Sequence, residues 1–164
     1  MITAGKTFLR SQYKKKRLSL TNEEVDYLSQ RVSIQLEKLD IWKLQNYHIF
    51  ISIEKYNELD TSLIIDKLKS NQKNIIVPKI SNNELSHFQI NEKTEFSLNK
   101  YGIREPNNGN YFKIKNLDVI FIPLLVFDIE GHRVGYGKGY YDRFLKLTNS
   151  NTLKIGLSLF DPIY

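Results

Sequence analysis

VIFIPLLVF, residues Val119 to Phe127, runs directly into DIEGHRVGYGKGYYDR, residues Asp128 to Arg143, and this stretch decides the fold. A continuous apolar run of that length suits a strand buried on both faces, as in a parallel sheet. The glycines that follow end the strand, and Tyr140 to Leu147 then carries a helical pattern. Strand, Gly-rich loop and helix in that order are one unit of an α/β protein. The alternation recurs outward from it. Thr21 with Glu24 forms a capping box before Val25, Leu28, Val32, Leu36 and Leu39, which predicts an amphipathic helix over residues 21–39. Tyr47 to Ile53 reads as a buried strand, Asp60-Thr61 as the cap of a short helix SLIIDKLKS, and Ile75 to Val77 as a strand stopped at Pro78. Ser81 to Asn116 is polar and Asn-rich, with short strands expected near His87 to Ile90 and Glu95 to Leu98, and Leu153 to Phe160 is a last strand. The expected architecture is α/β, a single domain with a mostly parallel central sheet flanked by helices on both faces.

Composition narrows the function. The chain has 164 residues, no Cys, and three His (His48, His87 and His132) at spacings that give no helical ligand pair. Disulfides, Cys-ligated zinc, iron–sulfur clusters and thiol nucleophiles are therefore excluded. No apolar run approaches the length of a membrane span, and the first ten residues, MITAGKTFLR, contain no apolar core of a signal peptide. A cytoplasmic protein without membrane partners is expected. The net charge of +6 is local: residues 1–20 hold six of the 24 bases and none of the 18 acids, so residues 21–164 are balanced at 18 of each. That distribution disfavours nucleic acid, which calls for basic residues spread across an interaction face. Within the cluster, Lys6 and Arg10 share a helical face, whereas Lys14 to Lys16 read as a solvated helix surface.

The Gly-rich stretch carries the chemistry. Gly135, Gly137 and Gly139 let the backbone approach an anion closely, Arg133 and Lys138 add cations, and Asp142 offers a carboxylate for Mg²⁺ beside phosphate. The loop lies beyond the carboxyl end of a buried strand, where ligands of open α/β sheets bind. Its G-x-G-x-G spacing is not the dinucleotide fingerprint G-x-G-x-x-G, and Lys138 is followed by Gly139 rather than the Ser or Thr of a P-loop. Taken alone, these residues leave open a flexible Gly-rich hairpin with solvated charges.

FIPLLVFDIEGHRVGYGKGYYDRFL resembles the signature of the 5-formyltetrahydrofolate cyclo-ligases, also called methenyltetrahydrofolate synthetases. Pro123, Phe127, Asp128, Gly131, Arg133, Gly135, Gly137, Gly139, Tyr140, Tyr141 and Asp142 match it. Further echoes are the Lys6/Arg10 pair, Glu58-Leu-Asp-Thr61, Val77-Pro78-Lys79 and Gly102-Ile103-Arg104-Glu105-Pro106. The resemblance spans nearly the whole chain. It implies that ATP and 5-formyltetrahydrofolate are converted to 5,10-methenyltetrahydrofolate, ADP and phosphate, with Mg²⁺. It assigns Lys6, Arg10, Arg133, Gly135, Tyr136, Gly137, Lys138, Gly139, Tyr140 and Tyr141 to ATP, with Arg133 and Lys138 as the catalytic cations. It assigns Ile53, Glu58, Tyr136, Gly137, Lys138, Gly139 and Tyr140 to the folate, and Asp142 to the metal. Asp128 reads instead as a turn residue, and His132, in the same turn, as solvated.

Two positions depart from the pattern. Leu124 stands where the family usually has Gly, which narrows the space near the site, and Tyr136 stands where some members carry a basic residue. Members also continue past the last strand through a segment with a further Asp and another strand, so a domain over 1–164 lacking that segment is expected. A monomer is expected. The competing readings are a non-catalytic folate- or nucleotide-binding member of the fold and a basic RNA-associated protein.

Overall fold

A computed structural model of the chain describes residues 5–164. The elements in order are α1 (Lys6–Leu18), α2 (Asn22–Glu37), β1 (Asn46–His48), α3 (Ser62–Ser70), β2 (Asn74–Ser81), β3 (Glu84–Ile90), β4 (Phe96–Leu98), β5 (Arg104–Pro106), β6 (Asn110–Tyr111), β7 (Val119–Pro123), β8 (Val126–Phe127), β9 (Arg133–Val134), α4 (Tyr140–Lys146) and β10 (Leu153–Leu157). Six strands form the central sheet in the order β10-β7-β1-β2-β3-β6, in which the first three pairings are parallel and the last two antiparallel. The α/β architecture read from the sequence is the observed one.

Alternation along the parallel strands divides the core. Tyr47, Ile49, Ile75, Val77, Val119 and Phe121 point to the side covered by α2 and α3, where they meet Val25, Leu36, Ile64 and Leu68. Ile76, Ile120 and Ile122 point to the opposite side, against Phe144 of α4. Each such side chain removed from water contributes about 1.5–3 kcal/mol, so the two layers supply most of the drive to fold. The capping box of α2 forms as the sequence predicts: the Glu24 N–H donates to Thr21 Oγ1 and the Thr21 N–H to Glu24 Oε2. At α3 the cap falls to Asp60, whose Oδ1 accepts from the Ser62 N–H, while the Thr61 hydroxyl donates to the Phe50 carbonyl.

Four sequence expectations are corrected. The run Val119 to Phe127 is two strands. Leu124 N–H donates to Leu157 in the main sheet, but Leu125 N–H donates to Val134, and Val126 and Val134 are buried in a separate small cluster with Leu9 and Tyr13 of α1. Both halves are apolar because each meets its own core, and a hydrophobic run does not record a change of partner. The strand at Tyr47 to Ile53 pairs only at Asn46–His48, extended by the Ile49 N–H to the Ile76 carbonyl. The strand at Leu153 to Phe160 ends at Leu157.

Nor does Pro78 stop β2, which continues to Ser81 opposite β3. Ile76 faces β1, so Pro78 faces the same way, beyond the end of β1, and its missing N–H breaks no ladder bond. Two residues on, the Ile80 N–H on that edge donates to Glu105 Oε1 of β5.

Candidate active site

The loop between β9 and α4 is fastened from outside by α1. Arg10 Nε donates to the Gly135 carbonyl at 2.9 Å, and its guanidinium lies where a Cβ on Gly137 would come within 2.9 Å of Nε. Gly137 also has φ +92°, so the backbone conformation and the neighbouring guanidinium both require glycine there. Lys6 stands one turn earlier on the same face of α1. Together with Arg133, Lys138, Asp142 and the loop glycines, these cations line a cavity of about 280 Å³. The Arg133 Nη2 donates to Asp142 Oδ1 at 3.0 Å across its mouth. Leu124 lines the cavity too, leaning over Gly156, where a Cβ would collide with it.

A second cavity, of about 850 Å³, opens on the other side of the loop. Its walls include Phe50, Ile51 and Ile53, the residues that leave the sheet after β1, which explains why an apolar run continues past the end of a strand. Glu58 stands in this wall, with Pro123, Tyr136, Lys138, Tyr140 and Tyr141 common to both cavities. Two compartments thus meet at one loop, a small cationic one and a large one with aromatic and aliphatic walls.

Glu58 is buried. Its Oε2 accepts from the Ile53 N–H at 2.9 Å and its Oε1 from the Tyr136 hydroxyl. Burial pushes this carboxyl above the usual range, against the hydrogen bonds from Tyr136 and Ile53 and the charge of Arg17, which favour ionisation. The Tyr136 hydroxyl also accepts from Arg17 Nη1. Burial, with the adjacent Glu58 charge, drives the Tyr136 phenol upward, so it stays protonated and serves as a donor.

Every residue the sequence assigned to the site lies on one or both cavities: Lys6, Arg10, Arg133, Gly135 and Asp142 on the small one, Ile53 and Glu58 on the large one, and Tyr136 to Tyr141 at the junction, where Gly137 and Gly139 face the small side. Asp128 is the turn residue expected, its Oδ1 accepting from the N–H groups of Glu130 and His132. With them it forms a cluster of ligand atoms within 4.8 Å, away from both cavities.

Two features escaped the sequence reading. Lys14 is not simply a solvated lysine: it lines the large cavity, with Nζ 5.9 Å from the centre of the Tyr136 ring, and Arg17 is buried in the same wall. The signal was present, because Lys6, Arg10, Lys14 and Arg17 continue one helical stripe. Glu105 of β5 is a buried carboxylate of the large cavity, held by the Ile80 N–H and Asn99 Nδ2. No helix among the described residues is long and apolar enough to cross a membrane.

Residues 2–160 match the 5-formyltetrahydrofolate cyclo-ligase family. The chain is 34% identical over 153 residues to a protein named probable 5-formyltetrahydrofolate cyclo-ligase from Schizosaccharomyces pombe, covering 82% of this chain and 74% of that one. It is likewise 34% identical to the 5-formyltetrahydrofolate cyclo-ligase of Mycoplasma genitalium, covering 93% of this chain and 84% of the relative. In three dimensions it resembles the 5,10-methenyltetrahydrofolate synthetase of Aquifex aeolicus, with a TM-score of 0.80 and 32% identity over 96% of this chain and 77% of that one.

Proposed function

The chain belongs to the 5-formyltetrahydrofolate cyclo-ligase family, and from that premise we propose that its small cavity seats the ATP phosphates and its large cavity 5-formyltetrahydrofolate. The activity is the ligase reaction that closes 5-formyltetrahydrofolate to 5,10-methenyltetrahydrofolate. The observation that carries the site assignment is the junction: Tyr136, Lys138, Tyr140 and Tyr141 border both compartments. A donor phosphoryl on one side and a formyl oxygen on the other would meet across that wall.

A formamide oxygen is a poor leaving group. In the proposed sequence it attacks the γ-phosphorus of ATP and ADP departs. N10 of the folate then attacks the activated formyl carbon, loses its proton, and phosphate leaves as the methenyl bridge closes. Phosphoryl transfer of this kind depends on positioning and charge neutralisation rather than on a strong base. Lys138 at the junction and Arg133, Lys6 and Arg10 on the small side supply the positive charge. The loop N–H groups around Gly135 to Gly139 add donors, and Glu58 accepts from the polar edge of the pterin while Tyr140 forms an aromatic wall.

Asp142 fits Mg²⁺ by its chemistry: it is an exposed hard-oxygen donor on the rim of the phosphate compartment, and Mg²⁺ binds through one or two carboxylates together with substrate phosphates. Bound there, Mg²⁺ would offset charge on the transferring phosphoryl group. Arg133, now paired with Asp142, would turn to the phosphates.

The test follows the near-ultraviolet absorbance of methenyltetrahydrofolate with 5-formyltetrahydrofolate and Mg·ATP together or with either withheld. Growth that requires both is expected. Growth without ATP, or none with both present, would overturn the reading.

A further inference from the structure

Arg17 is 5% exposed, near the C-terminus of α1, and it carries a full charge into the wall of the large cavity. Among the described residues no carboxylate lies within ion-pair distance of it. Its Nε is buried without a hydrogen-bond partner. A buried cation held this loosely is destabilising for a fold and invites a functional explanation.

Among the described residues its guanidinium has one hydrogen bond, the link to Tyr136, and the phenol permits only one arrangement. Arginine has no lone pair to offer, so Nη1 donates and the hydroxyl oxygen accepts. The single phenolic hydrogen is then committed to Glu58 Oε1. The Arg17 guanidinium also lies 5.1 Å from the centre of the Tyr136 ring. The chain reads Arg17 to Tyr136 to Glu58, each donor polarised by the one before it. Asn57, next to Glu58, has φ +48° and donates through Nδ2 to the carbonyls of Arg17 and Leu20. The end of α1 is thereby tied to the segment that carries Glu58 as well as to the loop that carries Tyr136.

We propose that Arg17 is a positioning residue, which acts through the Tyr136 hydroxyl to fix the Glu58 carboxylate and to couple the phosphate-side loop to the folate-side wall. This rests on the site reading given above. The remaining lone pairs of Glu58 are those available to a donor on the ligand. Without Arg17, the phenol loses its anchor and Glu58 loses the charge that offsets its burial. The other charged groups on the cavity wall are Lys14, Glu84, Arg104, Glu105, Lys138 and Arg143, and among the phenols that also line it burial and the Glu58 charge push that of Tyr141 up.

The experiment compares the wild-type chain with Arg17→Leu, Arg17→Lys and Tyr136→Phe in steady-state kinetics across pH. In Arg17→Leu, KM for 5-formyltetrahydrofolate should rise about tenfold, as for loss of a charge-assisted hydrogen bond, with KM for ATP within about threefold of wild type. The acid limb of kcat/KM should move to higher pH by about one unit, because a carboxylate without its nearby cation ionises less readily. Arg17→Lys should restore that limb in part, and Tyr136→Phe should reproduce the shift with minimal loss of packing, which covers the case of an unfolded Arg17→Leu. Turnover in the wild type with an unmoved acid limb in both Arg17→Leu and Tyr136→Phe would overturn the role of Arg17 alone. A fall in Tm with the pH profile and the KM split unchanged would overturn it as well. No turnover in the wild type would instead overturn the site reading beneath it.

Discussion

Arg10 Nε donates to the carbonyl of Gly135 at 2.9 Å, joining residues 125 apart in the chain. Through this bond, helix α1 becomes part of the framework of a loop it would otherwise only pass. One face of α1 then borders both cavities, with Lys6 and Arg10 on the small one and Lys14 and Arg17 on the large one.

Arg10→Ala should therefore act on nucleotide affinity. A hydrogen bond to a charged group contributes about 1.5–3 kcal/mol, so KM for ATP should rise at least tenfold while KM for the folate changes little. Equal changes in both constants would show that Arg10 does not distinguish the two compartments.

Gly137→Ala should be more damaging than its size suggests. At φ +92° an L side chain is strained by about 1–3 kcal/mol, and the new methyl would displace the Arg10 guanidinium. Activity should drop by about 100-fold with far-ultraviolet circular dichroism unchanged. An active, ATP-saturable variant would mean that the loop reshapes freely.

Lys138→Ala and Asp142→Asn separate charge from stability. Both side chains are exposed, so Tm should stay within the change produced by about 0.5 kcal/mol. Lys138→Ala should abolish turnover, whereas Asp142→Asn should shift the Mg²⁺ titration to higher concentration and regain activity at saturation. A Mg²⁺ midpoint equal to that of the wild type would remove Asp142 from the metal site.

Stability should fall on acidification through a pair of core histidines. His48 on β1 and His87 on β3 lie 5.1 Å apart between their ring centres, packed on Phe144, and neither His48 ring nitrogen has a hydrogen-bond partner among the described residues. Burial holds His48 well below its ordinary value and His87 down to about 4. Both are neutral when folded, so their contribution is complete above the unfolded value of 6.5 and is lost as the pH falls from there toward 4. For His87 the loss is on the order of 3 kcal/mol. Urea unfolding at a series of pH values should show this slope, and His87→Leu should reduce it to the part that His48 contributes. An unchanged slope in that variant would assign acid sensitivity to the carboxylates instead.

Much of the site was legible because its parts are close in sequence. The loop from Arg133 to Asp142, its glycines and the helix after it form one local motif, and the capping box at Thr21 and Glu24 is likewise complete within four residues. Glu58 was reached through a resemblance, but its partners were not. The Tyr136 hydroxyl meets Glu58 across 78 positions and Arg17 across 119, and no local pattern records such a meeting.

What the sequence determined by itself was the alternation of strand and helix, the Gly-rich loop beyond a buried strand and a basic first helix, since each depends on periodicity, glycine or charge within a short window. The tertiary structure alone decided where Val119 to Phe127 changes partners, why Pro78 is harmless within β2, and that Arg17 ends beside Tyr136. Those outcomes depend on which edge of a strand lies open and which helix packs against which loop, and chain folding sets these relations between residues far apart in sequence.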